Sequence, residues 1–188
     1  MRRIRFIAAA MLLGLLAGPE VARADEAAAW AALRAGRHVA LMRHADAPGG
    51  IGDPAGFRLD DCATQRNLND KGRADAARIG ARLKSEAIAI EKVLASPWCR
   101  CMETAKLLQL GAVEAAPTFS NVVVLRAQAD QLAAGAGAVI DGWHGSGILL
   151  VVTHGANIYD LTGVSPASGE IVVVPRGGRK AVGRLRLD

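Results

Sequence analysis

His38-Val39-Ala40-Leu41-Met42 runs directly into Arg43-His44, and later in the chain Ile148-Leu149-Leu150-Val151-Val152 runs into Thr153-His154-Gly155. Each is a short, continuous apolar run of strand length, the pattern of a strand covered on both faces. Two such strands, each ending in a histidine and one of them beside an arginine, place two imidazoles at the carboxyl edge of a sheet. In open α/β sheets ligands bind at that edge.

Working outward, Asp25 to Arg37 is alanine-rich and predicts a short leading helix. Residues 45–64 contain Pro48, Gly49, Gly50, Gly52 and Pro54 and show no periodicity, so they form a long loop, of the kind that is usually functional. Asn69 is placed to cap a helix whose Ala76, Ile79, Gly80 and Leu83 share one face. Lys92-Val93-Leu94-Ala95 is a second strand. Ser96-Pro97 after it predicts a helix with serine as N-cap and proline in the first position, with Arg100 one turn in and Thr104 on the same face. Residues 113–124 form a loop with a weak strand. Leu132, Ala136, Val139, Ile140 and Trp143 mark another helix, and a short helical piece follows near Asn157 to Thr162. Glu170 to Val174 and Ala181 to Leu187 flank Pro175-Arg176-Gly177-Gly178 as a hairpin. Strands alternating with helices predict one α/β domain, a mainly parallel central sheet with helices on both faces.

The first 24 residues are not part of that fold. Arg2, Arg3 and Arg5, the apolar stretch Phe6 to Leu16 and Ala22-Arg23-Ala24 have the layout of a cleaved secretory signal, and the apolar part is too short for a membrane anchor. Residues 25–188 are then the domain, and the protein is expected in the periplasm or the medium, with no stable membrane insertion. The leader holds four of the 23 Lys and Arg and one of the 18 Asp and Glu, which leaves 19 and 17, formally +2 instead of +5. No basic stripe remains for nucleic acid, and stacking aromatics are scarce. Cys62, Cys99 and Cys101 in an exported chain predict one disulfide, from Cys62 to either of the other two, and one thiol left over. The cysteines and histidines lack the spacing of a zinc site.

The residues that carry chemistry follow strands or open helices. They are Arg43 and His44, Arg66 and Asn67 before the second helix, Arg100, and His154. Three arginines and two histidines on one edge suit a doubly charged tetrahedral anion, because guanidinium forks match phosphate oxygens. His38 and His144 lack such a setting and are assigned structural or solvent-facing places.

Taken together, Leu41-Met42-Arg43-His44-Ala45, Arg66-Asn67-Leu68-Asn69 with Gly72, Ser96-Pro97-x-x-Arg100-x-x-x-Thr104 and Val152-Thr153-His154-Gly155 resemble the histidine phosphatase superfamily, which includes phosphoglycerate mutases and acid phosphatases. The likeness extends from about Val39 to Glu170. In length the chain is similar to compact members that act on phosphohistidine or on lipopolysaccharide phosphate. The resemblance implies that His44 is the nucleophile and that Arg43, Arg100 and His154 bind the phosphoryl oxygens, with Arg66 and Asn67 as further substrate contacts. It implies no metal and no cofactor, and a small-molecule or phosphorylated substrate. His154, beside a phosphate, is expected to favour its protonated form.

Two departures from the family pattern stand out. Ala45 occupies a position usually held by glycine, which matters only where φ is positive. More consequential, neither 118–123 nor the residues after His154 supply the acid that would protonate a leaving oxygen. Asp46 and Glu170 are the candidate donors, whereas Asp60 and Asp61 are assigned to solvation or capping. The expected function is hydrolysis of a phosphate monoester or phosphohistidine-type substrate through a phosphohistidine on His44, with an activated or unusual phosphate or a relocated donor making up for the missing acid; the alternative is a non-catalytic phosphate-binding module. A mutase is disfavoured for an exported chain.

Overall fold

A computed structural model describes residues 19–187. The basic and apolar parts of the expected leader lie outside the described residues. The first helix, α1, spans Pro19–Ala35, six residues longer at its start than the sequence reading, and so crosses the expected cleavage point at 22–24. No helix among the described residues is long and apolar enough to cross a membrane.

Six strands form one sheet: β1 (His38–Arg43), β2 (Ile90–Ala95), β3 (Val113–Ala115), β4 (Ile148–Thr153), β5 (Ile171–Pro175) and β6 (Gly183–Leu185). Their spatial order is β3-β2-β4-β1-β5-β6. The first four are mutually parallel, while β5 runs antiparallel to β1, and β6 to β5. The late strand β4 thus slots between β1 and β2, with Arg43 level with Thr153 and Ala95 level with Val152. All six residues of β4 are buried. That explains its unbroken apolar run, since a central parallel strand has no face turned to water.

Alternate strand residues serve two cores. Ala40, Met42, Leu150 and Val152 pack with Trp30 and Leu33 of α1, with Ile79 and Leu83 of α2 (Asp70–Ser85) and with Leu108 of α3 (Cys99–Leu108). Val39, Leu41, Leu149 and Val151 pack with Ala136 and Ile140 of α4 (Ala129–Asp141) and Ile158 of α5 (Gly155–Thr162). Helices therefore cover both faces of the sheet, as expected. Asn69 caps α2, its side chain accepting from the Gly72 N–H at 2.7 Å. At Gly80 a side-chain carbon would stand 2.1 Å from the Leu108 carbonyl, so only glycine lets α2 and α3 approach this closely.

One helix start differs from the sequence reading. α3 begins at Cys99, with Trp98 rather than Ser96 in the cap position and no side-chain cap. Ser96 lies outside the helix, Pro97 and Trp98 form a bend that leads into it, and the Ser96 hydroxyl is engaged elsewhere. The disulfide joins Cys62 to Cys99 and leaves Cys101 free and buried.

Candidate active site

The ends of β1, β2 and β4 lie side by side, and the residues just beyond them meet. The His44 N–H donates to the Thr153 carbonyl at 2.9 Å and the Ser96 N–H to the Val152 carbonyl at 2.9 Å, continuing the parallel ladders. The His44 and His154 rings consequently face each other edge to face, with centroids 5.6 Å apart. A cavity of about 240 Å³ opens over them, walled by Arg43, Arg66, Gly50 to Gly52 of the long loop, Asn121, Val123 and Ser165.

His44 is almost fully buried, and its Nδ1 lies 2.8 Å from the Ala45 carbonyl. A carbonyl only accepts, so Nδ1 carries the proton and Nε2 keeps its lone pair. Burial is the chief reason that His44 is pushed down to about 3; the bond to Ala45 opposes the shift, and Arg100, Arg43 and Arg66 reinforce it. A neutral imidazole in one fixed tautomer is the form a nucleophile requires. Ala45 itself has ordinary negative φ and donates to Thr104 Oγ1 at 3.2 Å, so alanine is accommodated where glycine is usual.

His154 is held from both sides. Its Nε2 lies 2.9 Å from Ser96 Oγ, and its Nδ1 is 3.5 Å from Arg100 Nη2. Since a guanidinium only donates, Nδ1 is the acceptor and Nε2–H the donor. Burial first, then His44 and the three arginines, drive His154 well below its ordinary value. His154 is therefore neutral in this setting, where the sequence reading expected the protonated form beside a phosphate. Cys101 lies beside it, with its thiol pushed up to about 12, mainly by burial, and so remains an unreactive SH.

Arg43 is on the cavity wall. Its Nη1 donates to the Pro166 carbonyl at 2.9 Å, and Gly155 makes room for it: a side-chain carbon there would come within 3.3 Å of Arg43 Cδ. Arg100 is fully buried against His154, and Thr104 Oγ1 donates to its carbonyl at 2.6 Å. Among the described residues, the buried side-chain nitrogens and oxygens without a partner are two: Nε of Arg43 and Nε of Arg100. Leaving such a donor unmatched costs about 1–3 kcal/mol, and more when it is charged. Both belong to arginines next to the imidazole pair.

The other sequence candidates are arranged differently. Arg66 lines the cavity but also staples the long loop, donating from Nε to the Gly52 carbonyl at 3.0 Å and from Nη1 to the Ala47 carbonyl. Asn67 is turned away and donates to the Cys62 and Gln65 carbonyls, so it holds loop backbone and is not on the cavity wall. Asp46 accepts from Asn69 Nδ2 at 2.6 Å, and Glu170 accepts from the Ala167 N–H at 2.7 Å and pairs with Arg184 in a separate cleft. Neither expected donor lines the cavity, because each is committed to holding a chain segment. Asp61 caps the turn Cys62–Thr64 and Asp60 pairs with Arg58 in solvent. His38 bonds to the Gly36 carbonyl at 2.7 Å and His144 is exposed, both away from the site.

One residue that the sequence reading missed sits against Arg100. Asp53 forms a bidentate pair with Arg100, at 2.7 and 3.1 Å, and neither side chain is exposed. Burial alone would raise the Asp53 carboxyl; the bonds from Arg100, the Arg66 N–H and Trp98 outweigh that and hold it low. In sequence, Gly52-Asp53-Pro54 has the composition of a turn, where aspartate ordinarily bonds its own backbone, so nothing distinguishes it from solvated loop.

Residues 39–121 match the family model of the histidine phosphatase superfamily (branch 1). That segment carries Arg43, His44, Arg66 and Arg100. Over this segment the chain resembles the histidine phosphatase superfamily. Solved structures share its fold at low identity. The protein histidine phosphatase SixA complexed with tungstate has a TM-score of 0.54 at 20% identity, covering 79% of this chain and 96% of that one. Phosphoglycerate mutase from Thermus thermophilus gives 0.57 at 16%, covering 80% and 99%. Phosphoserine phosphatase from Entamoeba histolytica, in complex with 3-phosphoglyceric acid, gives 0.57 at 14%, covering 79% and 96%. No curated protein matches the sequence. The likeness to these structures is one of fold, and the chemistry of this chain follows from its own imidazoles and arginines.

Proposed function

We propose that this protein is an exported phosphatase that hydrolyses a phosphate monoester or phosphohistidine-type substrate through a phosphohistidine on His44. The observation that carries the reading is the His44 Nδ1–H bond to the Ala45 carbonyl, which fixes a neutral Nε2 lone pair beside two arginines with an unmatched Nε–H each. His44 Nε2 attacks phosphorus, and the bond from phosphorus to the leaving atom breaks, its electron pair departing with that atom. Arg43, Arg100 and His154 stabilise the equatorial oxygens. Water then attacks the phosphohistidine, releasing inorganic phosphate and returning His44 to its neutral form.

The cavity wall favours activated substrates. Its polar groups besides the arginines and histidines are Asn121 and Ser165, and no carboxylate lines it among the described residues. General acid help is worth about 10²–10⁴ in rate, so a leaving group that departs unprotonated loses least here. Phosphoramidates such as phosphohistidine, and acyl phosphates, are of that kind. The fold shared with SixA, named a protein histidine phosphatase, supports the same choice. Export is supported by the layout of the first 24 residues and by the Cys62–Cys99 bridge, which suits an oxidising compartment.

Rapid-quench labelling tests the proposal. Phosphate from acetyl phosphate or phosphoramidate should appear on the protein as an acid-labile, base-stable adduct, absent in His44→Ala. Saturable phosphate binding with no adduct would favour the non-catalytic module, which the carboxylate-free wall otherwise accommodates. Osmotic-shock fractionation of the producing cells tests export; retention of the whole chain in the cytosol would refute it.

A further inference from the structure

The glycine- and proline-rich segment 45–67 turns one carboxylate inward, that of Asp53, and fills all of its acceptor positions. Oδ1 accepts from Arg100 Nη1 at 2.7 Å and from the Arg66 N–H at 3.0 Å. Oδ2 accepts from Trp98 Nε1 at 2.9 Å and from Arg100 Nη2 at 3.1 Å. A carboxylate has about four such sites, so this one is complete. Asp53 thereby takes the end-on edge of the Arg100 guanidinium, and the Nε side remains with its donor uncommitted.

We propose that Asp53 is a positioning residue for phosphoryl transfer: it clamps the Arg100 guanidinium so that the Nε edge, not the Nη1–Nη2 fork, is offered to the phosphoryl group. This rests on the reading that Arg100 binds that group. Three features support orientation over competition with substrate. First, Asp53 is tied to Trp98 and to the Arg66 backbone as well as to Arg100, so an anion seizing the fork would strand a buried carboxylate between them. Second, Arg100 lies close enough to Arg66 to disfavour the charge on Arg66, and Asp53 is the anion that favours it. Third, Gly50, Ile51 and Gly52, the residues just before Asp53, wall the cavity, so the same clasp sets the loop and the arginine in one arrangement.

The test is a double-mutant cycle on p-nitrophenyl phosphate turnover and on the rate of His44 labelling by acetyl phosphate. Asp53→Asn keeps the shape but removes the charge and one acceptor. In the wild-type background it should lower the labelling rate and kcat by about tenfold or more, the scale expected when a binding group is displaced by a fraction of an ångström. In an Arg100→Ala background the same substitution should cost nothing further, because a residue acting through Arg100 has nothing left to position. An equal loss in both backgrounds would assign Asp53 a general structural role and overturn the proposal; an unchanged or faster rate in the single variant would do the same. Should Asp53→Asn fail to fold, Trp98→Phe removes one donor to Asp53 and should give a smaller loss that also vanishes without Arg100; persistence of that loss overturns the proposal. Wild-type protein that is never labelled refutes phosphoryl transfer itself, an outcome distinct from a labelled wild type indifferent to Asp53.

Discussion

Mild acidification should destabilise this protein through its two site imidazoles. In an unfolded chain histidine titrates near 6.5. In the fold, burial pushes His44 down to about 3 and lowers His154 as well. Between about 3 and 6.5 the unfolded state therefore holds a proton on each site histidine that the folded state does not. Unfolding free energy then rises with pH across this window: the contribution is complete above 6.5 and is lost as pH falls toward 3. For His44 the loss between pH 7 and pH 5 is about 2 kcal/mol, from a slope approaching about 1.4 kcal/mol per pH unit. His154 acts in the same direction. Against a typical total of about 5–15 kcal/mol, the effect is large.

Urea denaturation at pH 7, 6 and 5, followed through Trp30, Trp98 and Trp143 fluorescence, measures this directly. His44→Gln removes one titrating group. Its stability should fall by about 2 kcal/mol less than that of the wild type between pH 7 and pH 5. Equal losses in the two proteins would show that His44 protonates as readily folded as unfolded, and would refute both its burial and its neutral state. The same shift has a functional face. Labelling of His44 should persist at pH 5, where an ordinary histidine would be mostly protonated and unreactive.

Three further outcomes are expected. Reducing Cys62–Cys99, which closes a separation of 37 residues, should cost about 4 kcal/mol on the chain-entropy account; thermal melts with and without reductant would check it, and coincident melts would refute it. Ser96→Ala strips His154 Nε2 of its partner and should lower stability by about 1–3 kcal/mol and slow His44 labelling, whereas an unchanged rate would show that Ser96 does not orient the imidazole. Glu170→Gln, on the wall of a different cleft, should leave kcat for an aryl phosphate within about twofold, since the 10²–10⁴ of a general acid would be lost only if Glu170 were the donor.

How far the sequence can lead follows from where each interaction is written. The strands are legible because β1 and β4 are buried on both faces, and burial leaves a mark in composition at every residue. The histidines are legible because a strand fixes the position of whatever follows it, so two strand ends in register bring His44 and His154 together without help from side chains. Arg100 needs only a helix beginning near Ser96-Pro97, and a shift of the start to Cys99 does not move it off the first turn. The donors are a different matter. Asp46 and Glu170 are near in sequence to the site, yet which way a carboxylate turns depends on the N–H groups around it, here those of Asn69 and Ala167. Asp53 is the reverse case: it lies in a segment with no periodicity, and its four donors come from Arg66, Trp98 and Arg100, residues 13 to 47 positions away. A clasp of that kind leaves no local pattern. It also alters what the loop is, because a segment whose composition suggests mobility is bound to α3 by a disulfide at Cys62 and a buried ion pair at Asp53. Removing one partner of a buried pair typically costs about 3–5 kcal/mol, so the loop cannot leave the site without giving up much of the stability that holds the domain together. At the tip of that segment Ile51 stands 90% exposed between Gly50 and Gly52 on the cavity wall, so the clasp at Asp53 also sets where this tip lies.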